Sequence, residues 1–502
     1  MGPTDPARSD ADAHTSRPAA VQAIVEVTDT VSLPYTTGLQ RVARELMARL
    51  GPAGADVDET GNGIADAASG IGYRPVVWSP GADWYRDLTP AEIDALAHPQ
   101  ERLPASTAIA RRFPAPIATA VRRVLAVPAM RDLRSQAQLA AHRRAERPNL
   151  GLVLPPADRS TVLLDLEAAW NDPIPRDELL GPLHRAGAGS AALVADVLPL
   201  LRPEWFDSVL VRDFTRFILG HLRHSDLFLC ISERTRLDLI EVAETHGIDR
   251  ELDTRVIPLG SDIVDRAKPT QAGSAAGESS ARGSVSTRSV SNTSPVSDGG
   301  DVPSNIGRYL LMVGTIEPRK NQALALDVFD ALAQAHPDLG LVLVGKRGWK
   351  VDELIERIED HHGFGGRVIW LEEVDDARLG ALYRGAFLSL TPARYEGLGM
   401  TVTEAMQFGT PVIASTAGAL PEAGGDAAEY AGPDDVRAWV QLVERHLDDP
   451  AHHDAARARA LAHRPHTWDE SADAVRAAMT DVYADRAASL DDGTGARAGA
   501  HG

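Results

Sequence analysis

The stretch that decides the fold is "YLLMVGTIEPRKNQALALDVFDALAQAHPDLGLVLVG", residues 309–345. It opens on the apolar run 309–313 and closes on a second, 341–344. Between them Leu324, Val328, Ala331 and Leu332 recur at i, i+4, i+7 and i+8, and Pro337 closes that helical pattern. Strand, helix, strand with runs apolar throughout predicts parallel strands covered on both faces. The turn between strand and helix is unusual. "GTIEPRKN", 314–321, sets two cations side by side at a helix mouth, where free N–H groups and the dipole already favour an anion. Gly314 permits a tight turn, and Asn321 is expected to cap the helix. A guanidinium fork, Arg319, beside a point charge, Lys320, suits a diphosphate. The alternative is a solvated turn in which Glu317 pairs with Arg319.

The same grammar extends outward. "RVIWL", "FLSLT" and "PVIAS" follow in the second half, each separated by helical patterns. "AIVEV", "PVVW", "TVLLDL", "ALVADV", "LFLCIS" and "RVIPLG" repeat it more loosely in the first half. The expected class is α/β, with two doubly wound, Rossmann-like domains facing a central cleft. Ligands in such sheets sit outside the carboxyl ends of the strands. The predicted organisation is a disordered tail, 1–20; a first domain, 21–265; a linker, 266–306; a second domain, 307–465; a helix, 466–485, crossing back to the first domain; and a disordered tail, 486–502. The linker follows from composition, since 268–305 is rich in Ser, Gly, Thr and Ala and cannot bury enough surface to order itself.

A second motif, "ARYEGLGMTVTEAMQFGTPVIAS" (393–415), follows the run "FLSLT". With a helix starting near Met400, Glu404 falls in its first turn and Glu396 in the loop ahead. Gly397, Leu398 and Gly399 between them expose backbone amides, a small anion nest. Carboxylates accept from sugar hydroxyls, so one unit offers amides for phosphate and carboxylates for a ribose or a hexose. The alternative is two solvated glutamates on a surface helix.

These arrays, with "LVLVGKRG" and "STAGALPEAGGDAAEYAGPDD", resemble the donor-binding domain of the family 4 (group 1) glycosyltransferases, retaining enzymes of the GT-B fold. The resemblance covers most of 307–440, with the Glu-x7-Glu motif at Glu396 and Glu404. "DTVSLPYTTGLQRVARELMARL", "ADVLPLLRPEWF", "CISERTRLDL" and "VIPLGSD" in the first half are similar to a branch containing bacterial polysaccharide mannosyltransferases. The resemblance implies transfer of a hexose, mannose from GDP-mannose, to a saccharide or lipid-linked saccharide. Other readings are transfer from UDP- or ADP-glucose, a sugar-nucleotide epimerase, and a non-catalytic GT-B module.

It also implies roles. Arg319 and Lys320 would hold the diphosphate, and Glu404 the ribose. Glu396 and the amides of Gly397, Leu398 and Gly399 would hold the sugar. Gly38 and Gly314 would allow close backbone approach, Gly345 and Lys346 would lie near the nucleotide, and Val374 would contact the base. Asp196 is a candidate polar contact from the first domain, or a strand-end residue. The sequence departs from the family at Thr401, Ala393, Thr315–Ile316 and Ala195, the last where many relatives have His. Retention without a nucleophile implies front-face substitution, in which the leaving diphosphate helps deprotonate the acceptor.

Composition bounds the rest. The chain has 502 residues and a net charge of −20, from 51 Lys+Arg against 71 Asp+Glu, which makes it a poor general binder of nucleic acid. One cysteine, Cys230, excludes a disulfide framework and fits a reducing cytoplasm. The start lacks an apolar signal-peptide core, and no apolar run nears the roughly 18 residues of a membrane helix. No cofactor or metal is expected. "DVD", 56–58, reads as a surface loop, and the His pairs at 361 and 452 as solvated. Against the acidic background, 102–148 carries ten Arg and two acids, with Ile117, Val121, Val124 and Leu125 on one stripe. It reads as a basic amphipathic patch that touches anionic membrane at the inner face or a lipid-diphosphate acceptor, or as a packed helix with a solvated Arg face.

Overall fold

The computed structural model describes residues 21–32, 38–50, 71–79, 82–97, 153–167, 169–172, 174–261, 306–372 and 374–495. The tail 1–20, "DVD", the basic segment 102–148, the linker 266–305 and 496–502 lie outside the described residues.

Each lobe is built on one twisted sheet. The first holds β1 (Val21–Glu26), β2 (Ile71–Ser79), β3 (Trp84–Asp87), β4 (Thr161–Asp165), β5 (Gly189–Val194), β6 (Leu227–Cys230) and β7 (Asp253–Val256). Their spatial order is β3-β2-β1-β4-β5-β6-β7. The second holds β8 (Arg308–Val313), β9 (Leu339–Val344), β10 (Val368–Leu371), β11 (Leu388–Thr391), β12 (Val412–Ser415) and β13 (Glu429–Ala431), in the order β10-β9-β8-β11-β12-β13. Every pairing between these strands is parallel except β2 with β3, and an isolated antiparallel bridge joins Arg86 to Val153. β3 and β13 are the two strands the apolar runs did not predict. Both are short, and β3 pairs antiparallel at an edge, where no continuous apolar run is required.

Burial explains the runs. β5, β9, β11 and β12 are buried at every position because helices cover both faces. The helix Gln322–Leu332 buries Leu324, Val328 and Leu332 against β8 and β9. The order of each sheet reverses at one point, between β1 and β4 in the first lobe and between β8 and β11 in the second. A doubly wound sheet opens its ligand crevice there.

The chain returns to its first lobe at the end. The helix Trp468–Gly495 lays Trp468, Ala472, Val475, Met479 and Tyr483 on the core of β1, β2 and β4. Tyr483 donates to the Ser190 carbonyl at 2.8 Å. This helix starts after 466 and runs past the expected end at 485, so the assumed tail begins too early. Its acidic, weakly apolar later turns gave no sign of helix. Likewise Ile306, assigned to the linker, is buried in the second lobe's core. Cys230 is fully buried in β6, and burial pushes its thiol up to about 12, so it packs as a small hydrophobe.

Candidate functional site

β8 ends on a turn that brings β9's own turn against it. Gly314 and Gly345 both sit at positive φ, 142° and 151°. A Cβ on Gly345 would stand 2.1 Å from the Gly314 carbonyl oxygen, so only glycine lets the two turns close. Ile316 N–H donates to Lys346 O at 2.8 Å, which fixes the loop that follows. Asn321 stands at the N-cap position in a left-handed conformation, yet it makes no side-chain cap. Its amide donates instead to Pro392 O at 3.1 Å and Pro433 O at 2.7 Å, tying the turn to those after β11 and β13. The expected cap is thus corrected: the αL backbone aims the side chain away from the helix's own amides.

That tie brings the two motifs together. Arg319 reaches Glu396 at 2.7 Å and Glu317 at 2.8 Å, and Lys320 Nζ bonds the other Glu396 oxygen. All four side chains are largely buried, so this is no solvated turn, although the Glu317–Arg319 pair does form. Burial would raise the Glu396 carboxyl, but Arg319 and Lys320 hold it at about 2. The Glu317 carboxyl is raised by burial, which Arg319 only partly offsets. Asp196, after β5 of the first lobe, belongs to the same charge cluster. Burial raises its carboxyl while Arg319 pulls it back, and it also accepts from Leu198 N–H at 3.0 Å.

The second glutamate is held differently. Gly399 occupies the N-cap position of the helix Met400–Gln407, and Glu404 is its fifth residue. Glu404 therefore lies just past the first turn, one position beyond the expected one. The side chain is buried, accepting from Tyr383 OH at 3.2 Å and pairing with Arg41 at 2.8 Å. Burial raises its carboxyl, with Arg41 opposing. Arg41 belongs to the helix Gly38–Leu50, so this ion pair crosses between lobes. Gly38 heads that helix in open space. Lys346 is exposed beyond β9, and Val374 packs on the second lobe's core past the end of β10.

The lobes meet at the Gly397–Gly399 turn. Ser232 Oγ and Thr235 Oγ1 donate to the Gly397 carbonyl at 2.6 and 3.2 Å. Glu422 from the second lobe accepts from Glu233 N–H and Arg234 N–H, both 2.8 Å, capping the helix Glu233–Thr245. Trp349 Nε1 donates to Trp205 O at 2.7 Å. Arg319, Lys320, Glu396 and Asp196 thus converge. Gly314 lies against Lys320, Gly345 against Gly314 and Gly397 against Asp196, whereas Gly399 packs on Leu420, Leu398 on the first lobe's core, and Glu404 faces Arg41 and Tyr383, with Gly38, Lys346 and Val374 further out. Sequence reasoning missed Arg41 and Tyr383, whose helical positions carry no signal of what they face.

The first lobe's own switch point is acidic. Glu26 at the end of β1 and Glu167 just past β4 are both buried, and Asp29 stands beside them. Burial raises all three carboxyls, Glu167 to about 8 and Asp29 to about 6. Below them Arg176 pairs with Asp165 (2.6 Å) and Asp172 (2.9 Å), and His221 meets Asp165 at 2.9 Å. Glu167 accepts from Thr30 N–H at 3.0 Å. A group whose folded pKa is raised stabilises fully below its unfolded value and loses that contribution as pH climbs to the folded one. Glu167→Gln, which resembles the protonated acid, should match the parent at pH 4. At pH 9 it should exceed the parent's stability by at least about 1 kcal/mol in urea titrations. Equal parent and variant stabilities at pH 9 would show that Glu167 is not held protonated.

Residues 304–463 match the family described as Glycosyl transferases group 1. The serotype-specific mannosyltransferase WbdA of Escherichia coli is 27% identical over 285 residues, 52% of this chain and 31% of its own length. The O-antigen chain mannosyltransferase B of Escherichia coli is 35% identical over 163 residues, 32% of this chain and 42% of its own. The matches thus span less than half the length of these curated relatives. The sucrose-phosphate synthase of Thermosynechococcus elongatus superposes over 92% of this chain and 99% of its own with a TM-score of 0.52. At 17% identity that likeness is one of fold, and the fold is GT-B. With its two turns knitted at the β8/β11 crevice, the lobe over residues 304–463 is the part of the chain that matches the group 1 glycosyltransferases.

Proposed function

We propose that the chain is a retaining, family 4 hexosyltransferase of polysaccharide or glycan biosynthesis. It takes mannose from GDP-mannose and delivers it to a saccharide or lipid-linked saccharide. The observation that carries this reading is the convergence of Arg319, Lys320 and Glu396, with Asp196 of the opposite lobe, at the β8/β11 crevice. Both mannosyltransferase relatives match within this chain, and their names supply the choice of sugar.

The chemistry follows from an exchange of partners. Without donor, Arg319 and Lys320 spend their charge on Glu396, and Arg41 neutralises Glu404. A diphosphate arriving between the lobes takes over the two cations. Glu396 is then released to accept from sugar hydroxyls, and Glu404 from the ribose. As the glycosidic bond breaks, negative charge grows on the diphosphate, where Arg319 and Lys320 lie in a largely dry site. The acceptor hydroxyl attacks from the same face and passes its proton to the departing phosphate oxygen. The two side-chain cations do the work that a divalent ion does in other transferases, so the reaction needs no metal. The acceptor would enter over the first lobe's crevice, beside the buried carboxyls of Glu26 and Glu167. Among the described residues no helix is long and apolar enough to cross a membrane. Action in the cytoplasm, with 102–148 at an anionic membrane surface, is part of the proposal.

The test is ligand-induced thermal stabilisation of the full chain by GDP, UDP, ADP and their sugar conjugates, with magnesium or with EDTA. A ligand that binds only the folded state at 100 times its dissociation constant adds about 2.7 kcal/mol. The expected result is a shift with GDP and GDP-mannose that persists in EDTA and is reduced in Lys320→Ala. A shift with UDP- or ADP-glucose alone would replace the donor. Folded protein that answers to no nucleotide would overturn the enzyme reading in favour of a binding module.

A further inference from the structure

We propose that Glu429, His446 and His452 bind one transition-metal dication of the zinc class, on the far edge of the second lobe and apart from the transfer site. The His pair at 452 was expected to be solvated. Instead it is packed against a third histidine. His446 lies in the last turn of the helix Val436–Asp448 and His452 in the first turn of the helix Pro450–Ala462. Asp449 between them caps the second helix, accepting from Ala451 N–H and His452 N–H at 3.1 Å each. The sharp turn folds the two imidazoles together, with ring centroids 4.6 Å apart. Glu429 opens β13 beside them.

One ligand atom from each of the three residues lies within 4.8 Å of the others. The Glu429 carboxylate oxygen stands 2.8 Å from His452 Nε2 and 3.5 Å from His446 Nε2. Metal–ligand bonds of about 2.0–2.2 Å at tetrahedral angles place ligand atoms roughly 3.3 Å apart, between those two values. A second observation points the same way. His446 is 2% exposed and its Nδ1 has no hydrogen-bond partner, while its Nε2 and His452 Nε2 both face a single Glu429 oxygen, neither in good hydrogen-bond geometry. Two imidazole nitrogens that crowd one carboxylate oxygen in poor hydrogen-bond geometry are weakly satisfied, and an ion between the three groups would satisfy all of them at once. Two imidazoles and a carboxylate suit zinc, and the side chains of His452 and Glu429 keep 12% and 15% exposure, enough for the site to be reached from the surface.

One group opposes the ion. Arg459 Nη2 lies 3.2 Å from the same Glu429 oxygen. Its side chain is 40% exposed and has room to swing into solvent when the dication arrives. The metal must therefore compete with a guanidinium, which makes a distinctive prediction: Arg459→Ala should bind it more tightly. The bound ion would pin edge strand β13 to both helices. The second of these helices sets Ala460 in the same core as Val402, Ala405 and Met406, so the metal would stiffen the wall behind the helix that carries Glu404.

The experiment titrates the full chain, stripped with EDTA and desalted, with cobalt(II), followed by displacement with zinc(II). The expected result is one equivalent of cobalt with visible d–d bands, loss of those bands on adding zinc, and a rise in Tm. His452→Ala and Glu429→Gln should each weaken zinc by at least about tenfold, and Arg459→Ala should tighten it. His362→Ala, at an exposed histidine elsewhere, should change nothing. The proposal is overturned if the parent binds less than one equivalent. It is equally overturned if His452→Ala and Glu429→Gln, folded by circular dichroism, bind zinc as the parent does. Should either variant fail to fold, the parent stoichiometry and the sign of the Arg459→Ala change decide.

Discussion

Lys320→Ala is expected to lower kcat/KM for sugar transfer by about 10²- to 10³-fold while leaving the chain folded. Lys320 Nζ bonds Glu396 beside the Arg319–Glu396 pair, so both cations face the point where the leaving diphosphate would gain charge. A contact that strengthens as that charge grows acts on kcat more than on ground-state binding. Folding should survive, because Arg319 still holds Glu396 and Lys320 contributes no large apolar surface. Steady-state kinetics with GDP-mannose and an oligosaccharide acceptor would measure it. A variant with both the parent kcat and the parent KM would remove Lys320 from the reaction. An effect confined to KM would demote it to ground-state binding.

Gly397→Ala is expected to cost transfer about 100-fold for a different reason, misplacement of one lobe against the other. A Cβ on Gly397 would stand 2.2 Å from the Ala195 carbonyl oxygen and 3.2 Å from Asp196 Cβ, both in the opposite lobe. The Gly397 backbone is not at positive φ, so alanine is tolerated within its own lobe. The clash is therefore paid by the interface, where Ser232 and Thr235 lose their grip on the Gly397 carbonyl. Donor binding should persist, since Arg319, Lys320, Glu396 and Glu404 belong to the second lobe. The signature is thus a nucleotide-induced Tm shift close to the parent's, a larger radius of gyration in solution scattering, and lost transfer. Parent-like transfer would show that the lobes do not need this approach.

Much of the second lobe was legible because its signals are local. The apolar runs, the helical stripe through Leu324, Val328 and Leu332, and the glycines of two tight turns all act within a few residues of chain. The nearness of Arg319 and Lys320 to Glu396 was expected only through the resemblance, since those residues are 77 and 76 positions apart. The Asn321 cap, the solvated His pair and the end of the last helix were misread. In each case the competing partner came from elsewhere: the carbonyls of Pro392 and Pro433, the imidazole of His446, and, for the last helix, the first lobe's core under its opening turns.

By itself, then, the sequence determined two parallel sheets and the turn chemistry at their carboxyl ends. Periodicity and backbone conformation are short-range properties, and each residue carries them wherever the chain goes. Only the tertiary structure decided what those turns face. Arg41 and Glu404 are 363 residues apart, and Ser232 and Gly397 are 165. Pairs so distant are set by how two folded lobes dock and by which buried charges must then neutralise one another. That choice is made by packing and desolvation over whole surfaces, which no local pattern of residue types encodes.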